Sequence, residues 1–316
     1  MPDLLSFGEA VIDFFPETLG VPLGDVDRFA RHLGGAPANV AVGLARLGAR
    51  AGLMTLVGAD EFGRFARAAL AREGVDVRGV GTHRTARTAI TFVSVGPAGE
   101  RSFLFYRHPS ADQEIAVHDV DPALVAEARV LHFGSSTLSR EPARAATRLA
   151  LAAARRAGRV VSCDPNLRFH LWADPGEAGP LVRETLAEAD VVKISDDELA
   201  AIVGTSDVEQ GASAVRALGP SLCVVTLGER GCYYDGAGGR GWVRGVRVPV
   251  VDTTGAGDGF VAGLWAELLR RADRPKDWPA EAVERACMFA NRVAARVVTR
   301  LGATAALPTR SDCDIF

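Results

Sequence analysis

Lysine is nearly absent from this chain. Of its 316 residues, 36 are Lys or Arg, and only Lys193 and Lys276 are lysines. Neither has the context G-x-x-x-x-G-K-[ST], so a P-loop nucleotide site is excluded. Long apolar runs are missing too: none approaches the roughly 20 residues needed to span a bilayer. The six histidines show no i,i+4 pair of the kind zinc hydrolases use. The five cysteines (Cys163, Cys223, Cys232, Cys287, Cys313) are scattered, odd in number and without C-x-x-C spacing. Reduced thiols fit that pattern better than disulfides or zinc. A net charge of −3 argues against a general binder of nucleic acid or membrane surfaces. The start, Met1-Pro-Asp-Leu-Leu, carries acid rather than a basic n-region and does not read as a signal peptide. A cytoplasmic location is the expectation.

Apolar residues are plentiful, and they come in short runs that alternate with helical patterns. Leu4–Ile12 and Ala51–Val57 read as strands, as do Val130–Phe133, Val160–Cys163, Val191–Ile194 and Leu222–Thr226. Helices are expected over Pro37–Leu47, from about Glu61 to Gly74, and near Pro142–Ala157, Glu177–Glu188 and Val208–Leu218. This alternation predicts an α/β fold: a mostly parallel central sheet with helices on both faces. Two regions fall outside it. Asp13–Arg31 is strand-like, and Thr88–Val95 with Arg101–Tyr106 reads as a hairpin joined by Pro97-Ala-Gly-Glu. Both are expected to form a small β lid, segments 13–31 and 88–107, inserted into a main domain of 1–12, 32–87 and 108–316. A decorative surface hairpin is the alternative.

The densest signal is Asp252-Thr-Thr-Gly-Ala-Gly-Asp-Gly-Phe260, followed at once by a helical pattern. Glycines at 255 and 257 let main-chain N–H groups, including that of Ala256, turn toward one point. The helix start adds unpaired N–H groups and partial positive charge, a seat for phosphate. Asp258 puts a carboxylate on its rim, which suggests phosphoryl transfer to a hydroxyl. That helix end is also expected to hold the Asp258 pKa low. A helix-capping role would account for the aspartate alone but not for the glycines around it. A competing match, Gly236-Ala-Gly-Gly-Arg-Gly241, has the spacing of a dinucleotide fingerprint. An extended run follows it rather than a helix, so it reads as a glycine-rich hairpin tip.

Gly34-Gly-Ala-Pro-Ala-Asn-Val-Ala-Val42 and Asp252–Phe260 together resemble the two signatures of the ribokinase-like (PfkB-type) carbohydrate kinases. The segments Gly8–Asp13, Phe105–Asp112, Asp164-Pro-Asn-Leu-Arg168 with Leu171-Trp172, and Thr226–Gly231 are most similar to fructokinases. The resemblance implies a three-layer α/β/α sandwich carrying a small β lid. It implies an ATP-dependent sugar kinase with Asp258 as base and Gly255, Ala256 and Gly257 around the moving phosphoryl group. Asp13, Gly34, Gly35 and Asn39 would meet the sugar, and Arg107 and Arg168 would contact it or serve as structural ion-pair arginines. Lys193, Ser195, Thr226, Gly228, Gly231 and Asn291 would lie on the nucleotide side. Ser195 with Glu198 reads equally as a capping box and as the family's Asn-x-x-Glu element, with serine in place of asparagine. Glu198 would then act on Mg²⁺ indirectly. Asp252 and Thr254 would border a monovalent-cation site for K⁺. A homodimer through the lid is implied as well. Fructose is the substrate best matched; 2-keto-3-deoxygluconate, or a non-catalytic sugar sensor of the same fold, are the alternatives.

Overall fold

The structure is a computed structural model, described here for all residues except 19, 96–100, 108 and 314–316. The link Pro97–Glu100 of the expected hairpin lies outside the described residues.

The described residues form thirteen strands: β1 (Leu4–Phe7), β2 (Val11–Pro16), β3 (Phe29–Gly34), β4 (Ala51–Gly58), β5 (Val80–His83), β6 (Ile90–Val95), β7 (Arg101–Tyr106), β8 (Val130–Phe133), β9 (Val160–Cys163), β10 (Val191–Ser195), β11 (Leu222–Thr226), β12 (Gly231–Gly236) and β13 (Gly239–Arg244). Nine of them form one sheet in the order β13-β12-β11-β10-β9-β8-β1-β4-β5. From β11 to β5 every pairing is parallel, while β12 and β13 close one edge as an antiparallel hairpin. The fingerprint-like glycine run is the tip of that hairpin, as its extended continuation implies.

The strands read as near-continuous apolar runs because both faces of the sheet are covered. Leu4 and Leu53 pack into one core with Val40, Trp265 and Val293 from three helices. Leu5, Phe7 and Met54, their alternate neighbours, pack into a second core with Leu124, Ala150 and Val182 on the opposite face. Two cores on one sheet give three layers, the sandwich the sequence implies. Helix bounds follow the sequence signals closely. Ala36–Arg46 carries Pro37 in its first turn. Glu61–Arg72 starts where the Asp60 carboxylate accepts from the Gly63 N–H at 2.8 Å.

The run Leu4–Ile12 is not one strand, contrary to the sequence reading. Gly8 adopts φ 145°, which only glycine takes readily, and the chain leaves the main sheet there. It re-enters as β2 in a second sheet of order β3-β2-β6-β7. Periodicity could not see this break, since apolar runs flank the Gly8-Glu9 pair on both sides. In the small sheet the pleat separates two faces. Asp13, Thr91 and Phe105 are cross-strand partners on one face, and Phe14, Phe92 and Leu104 on the other. The first set borders the main cavity; in the second, Phe14 stacks on Phe92 with centroids 5.1 Å apart.

Candidate active site

In an open α/β sheet a crevice forms beyond the strand C-termini where the strand order reverses. Here the chain builds outward from β1 to β4 and β5 on one side, and to β8 through β11 on the other. Polar residues gather at that reversal. Glu9 follows β1, Ser135 and Ser136 follow β8, Asp164 follows β9, and Lys193 lies in β10. With Asp13 and Thr91 of the small sheet they wall a cavity of about 820 Å³. A second cavity of about 570 Å³ adjoins it, and Thr253 and Gly257 border both.

Asp258 is the third residue of the Ala256–Leu268 helix, which starts from Gly255 in the left-handed region (φ 79°). Asp258 is buried and faces the larger cavity. Its Oδ2 accepts from Asn39 Nδ2 at 2.7 Å. The Asn39 Oδ1 in turn accepts from the Thr304 hydroxyl at 2.5 Å. One amide thus ties together the two glycine-rich segments, 219 residues apart. The expectation of a lowered Asp258 pKa is overturned. Burial pushes the carboxyl up to about 7, against the Asn39 hydrogen bond, and Asp164 adds to the rise. Loss of water outweighs a helix end whose field acts over a single turn.

Asp13 shares the cavity, and burial pushes its carboxyl up to about 7, with the Thr91 hydroxyl and Arg107 pulling the other way. Gly34 lies beneath it: a Cβ there would stand 1.9 Å from Asp13 Oδ2. The sequence assigns Gly34 to the ligand; its geometry instead makes room for Asp13, and Gly35 is the glycine on the cavity wall. Arg107 is buried in an ion pair with Asp112. Burial works against its charge, but Asp112 and then Glu9 outweigh that. Arg168 sits exposed at the cavity rim with no ion-pair partner among the described residues.

Lys193 departs from its expected place. It borders the larger cavity, not the smaller one, and its Nζ lies 3.2 and 3.1 Å from the two Asp164 oxygens. Burial opposes its charge, yet Asp164 and Glu198 prevail and the pKa is raised. Ser195 and Glu198 border neither cavity. The Glu198 carboxylate accepts from Ser195 N and Oγ at 2.8 and 2.9 Å, and from Leu167 N at 2.5 Å. That is a capping box which also pins the loop after Asp164. Thr226, Gly228, Gly231 and Asn291 do border the smaller cavity. The Asn291 Nδ2 donates to the Arg244 carbonyl at 3.1 Å, holding its helix to β13. Asp252 accepts from Thr254 N at 2.6 Å and Gly302 N at 2.8 Å, so it clamps the glycine loop. Thr254 lies on the larger cavity's wall, Asp252 behind it.

The sequence model for pfkB family carbohydrate kinases matches residues 1–310. This chain belongs to that family. It is 40% identical to the probable fructokinase-2 of Arabidopsis thaliana over 98% of its own length and 94% of the relative's. It is 41% identical to fructokinase-1 of Oryza sativa subsp. japonica, over 98% and 95% of the two chains. Among solved structures, a fructokinase from Vibrio cholerae O395 with fructose, ADP and calcium ion bound superposes with TM-score 0.88 at 34% identity, covering 99% and 98% of the chains. The chain is a fructokinase-like sugar kinase, a phosphotransferase acting on a sugar hydroxyl.

Within this kinase, several site residues carried no assignment from sequence. Asp164 opens the Asp164–Arg168 segment at the end of a buried strand, which is a usable signal in a parallel sheet. Glu9 likewise lay inside Gly8–Asp13. Thr304 had no local signal, because its partners Asn39 and Leu33 are distant in the chain.

Proposed function

We propose that this kinase transfers the γ-phosphoryl group of ATP to the 6-hydroxyl of fructose. The observation that carries the reading is the meeting of two cavities at Gly257, with Asp258 on the side of the larger one. The smaller cavity, lined by Thr226, Gly228, Asn291 and a run of valines, suits a nucleotide: apolar walls for a base and small residues near its phosphates. The sugar would occupy the larger cavity, with its attacking hydroxyl toward Asp258. Asp258 then takes the hydroxyl proton, while the N–H groups of Gly255 and Gly257 face the charge building on the phosphoryl oxygens; the Ala256 N–H, which donates to the Thr253 carbonyl at 3.2 Å, would be shared with them. A carboxylate with its pKa near 7 is a far better base than one held low by a helix end.

The described residues contain no group of three or more His, Cys, Asp or Glu able to hold a metal ion. That fits a Mg²⁺ ion held chiefly by phosphates and water, with Glu198 supporting the loop nearby. When bound, such an ion neutralises charge shared between the β- and γ-phosphates. K⁺ beside Asp252 and Thr254 belongs to the same proposal; both Asp252 oxygens already accept main-chain N–H groups, so K⁺ would share them.

Fructose is favoured over 2-keto-3-deoxygluconate because the buried cations are already matched. Arg107 faces Asp112 and Lys193 faces Asp164, which among the described Arg and Lys side chains on the cavity wall leaves exposed Arg168 for a substrate carboxylate. An ADP-release assay across fructose, ribose, 2-keto-3-deoxygluconate, adenosine and an aminoimidazole riboside should rank fructose first in kcat/KM. A higher value for the acid sugar would overturn the choice.

The rate should also depend on pH in a defined direction. Asp258 must be ionised to act as base, so kcat/KM for the sugar should rise with pH through an apparent pKa of about 7. Asp13 titrates in the same range, so the value belongs to the pair. A profile that stays level across this range would remove Asp258 as the titrating base.

A homodimer through the small sheet completes the proposal. On the face turned from the cavity, Leu104 is 46% and Tyr106 61% exposed, beside Phe92. Replacing both Leu104 and Tyr106 with serine should convert a dimer to a monomer in sedimentation analysis; a wild-type monomer at micromolar concentration would exclude the pairing.

A further inference from the structure

Glu9 stands at the point where the chain leaves the main sheet for the small one. Only Gly8, Glu9 and Ala10 join β1 to β2. Its backbone is fixed: a Cβ on Gly35 would lie 2.7 Å from the Glu9 carbonyl oxygen, so the two segments are in close contact. Glu9 is 7% exposed, and that remaining surface belongs to the larger cavity. Its Oε2 accepts from the Ser136 hydroxyl. Its Oε1 has no hydrogen-bond partner among the described residues. On the same wall, the Ser135 hydroxyl oxygen is buried without a partner. Arg107, also on that wall, is ion-paired with Asp112, and Glu9 is the next carboxylate that supports its charge.

This is a largely buried carboxylate with one oxygen held and one left over, on the wall of a cavity read above as the sugar site. We propose that Glu9 is a specificity-determining residue: its Oε1 accepts from a hydroxyl of a neutral sugar, and its charge rejects sugars that carry a carboxylate. A neutral polyol can donate to Oε1 and so satisfy the oxygen that Ser136 leaves unheld. A carboxylate on the ligand would bring two like charges together beside a side chain that is largely out of water, where repulsion is less screened than in bulk solvent. Ser136 acts through Glu9, since its hydroxyl fixes the carboxylate orientation. The inference rests on the sugar-kinase reading and adds the group that selects among sugars.

The test compares wild type with Glu9→Gln, which keeps size and removes charge. Calorimetry with D-fructose should show binding weakened about ten-fold, the usual loss for a hydrogen bond to a charged group. ADP affinity, read at the other cavity, should stay within about two-fold by the same measure. 2-Keto-3-deoxygluconate should become a stronger competitor against fructose in the variant than in wild type. Unchanged fructose affinity with unchanged competition would overturn the proposal. If Glu9→Gln does not fold, Ser136→Ala supplies the second reading: fructose affinity should fall several-fold with ADP affinity held, and an unchanged fructose affinity overturns the proposal. Wild type that phosphorylates no neutral sugar would overturn the functional reading and this inference together. Wild-type turnover alongside an indifferent Glu9 variant overturns this inference alone.

Discussion

Asp258→Asn should stop turnover while leaving both ligands able to bind. The expected loss in kcat is on the order of 10³ to 10⁴, the upper range for removal of a general base. Binding should survive because the asparagine oxygen can still accept from Asn39 Nδ2, so the amide that joins the two glycine-rich segments stays in place. The folded state should not suffer. Burial lifts the Asp258 pKa from its ordinary 3.8 to about 7, so between those values the folded protein binds more protons than the unfolded chain. Stability from this group therefore falls as pH rises across that window and stays low above it. Asparagine removes that loss, so the variant should melt no lower than wild type at pH above 7 and gain less on acidification. Single-turnover kinetics with calorimetry for ATP and fructose checks the catalytic half. Retention of a tenth of wild-type kcat would mean that the proton leaves by another route.

The same residue marks how far the sequence carries. Its position among glycines ahead of an apolar helix was legible, because main-chain geometry is written in local composition. Its pKa was not. Local reasoning weighed a helix end, and the deciding effect is burial by distant segments, with Asn39 and Asp164 brought in from elsewhere in the chain. The layered α/β architecture was legible for a similar reason. Strand runs such as Ala51–Gly58 are buried at every position, and a fully buried strand shows itself as an unbroken apolar run. The break at Gly8 was not legible, since Leu4–Ile12 is apolar on both sides of it and the two halves join different sheets. Lys193 shows the third kind of miss. Its strand is legible, but the cavity a side chain faces depends on the neighbouring strands and loops, and Asp164, just past the end of the adjoining strand, draws it into the larger one. Sequence thus reads what neighbours along the chain decide, and misses what neighbours across the sheet decide.

Gly257→Val should cost about as much as losing a main-chain donor to the transition state, on the order of 10² to 10³ in kcat. Gly257 is the one glycine that borders both cavities, so its environment is set by what passes between them. Its backbone is ordinary helix, unlike Gly255, whose φ of 79° and the 3.0 Å at which an added Cβ would meet Ala303 make any side chain a folding problem. A Cβ on Gly257 would lie 3.1 Å from Lys193 Nζ and 4.0 Å from Asp164 Oδ2. The lysine end can yield to a single methyl, so Gly257→Ala should lose activity modestly. Valine adds two further carbons, which must point toward the lysine pair or into the junction, where a phosphoryl group would pass. The fold should feel only a β-branched residue in the first turn, a cost of under about 1 kcal/mol. The comparison to make is therefore kcat against melting temperature across glycine, alanine and valine. A steep fall in rate with a shallow change in melting temperature is the expected pattern. A valine variant that keeps a tenth of wild-type kcat would show that the moving phosphate does not pass this backbone, and a large drop in melting temperature with matching loss of nucleotide affinity would make Gly257 a packing residue instead.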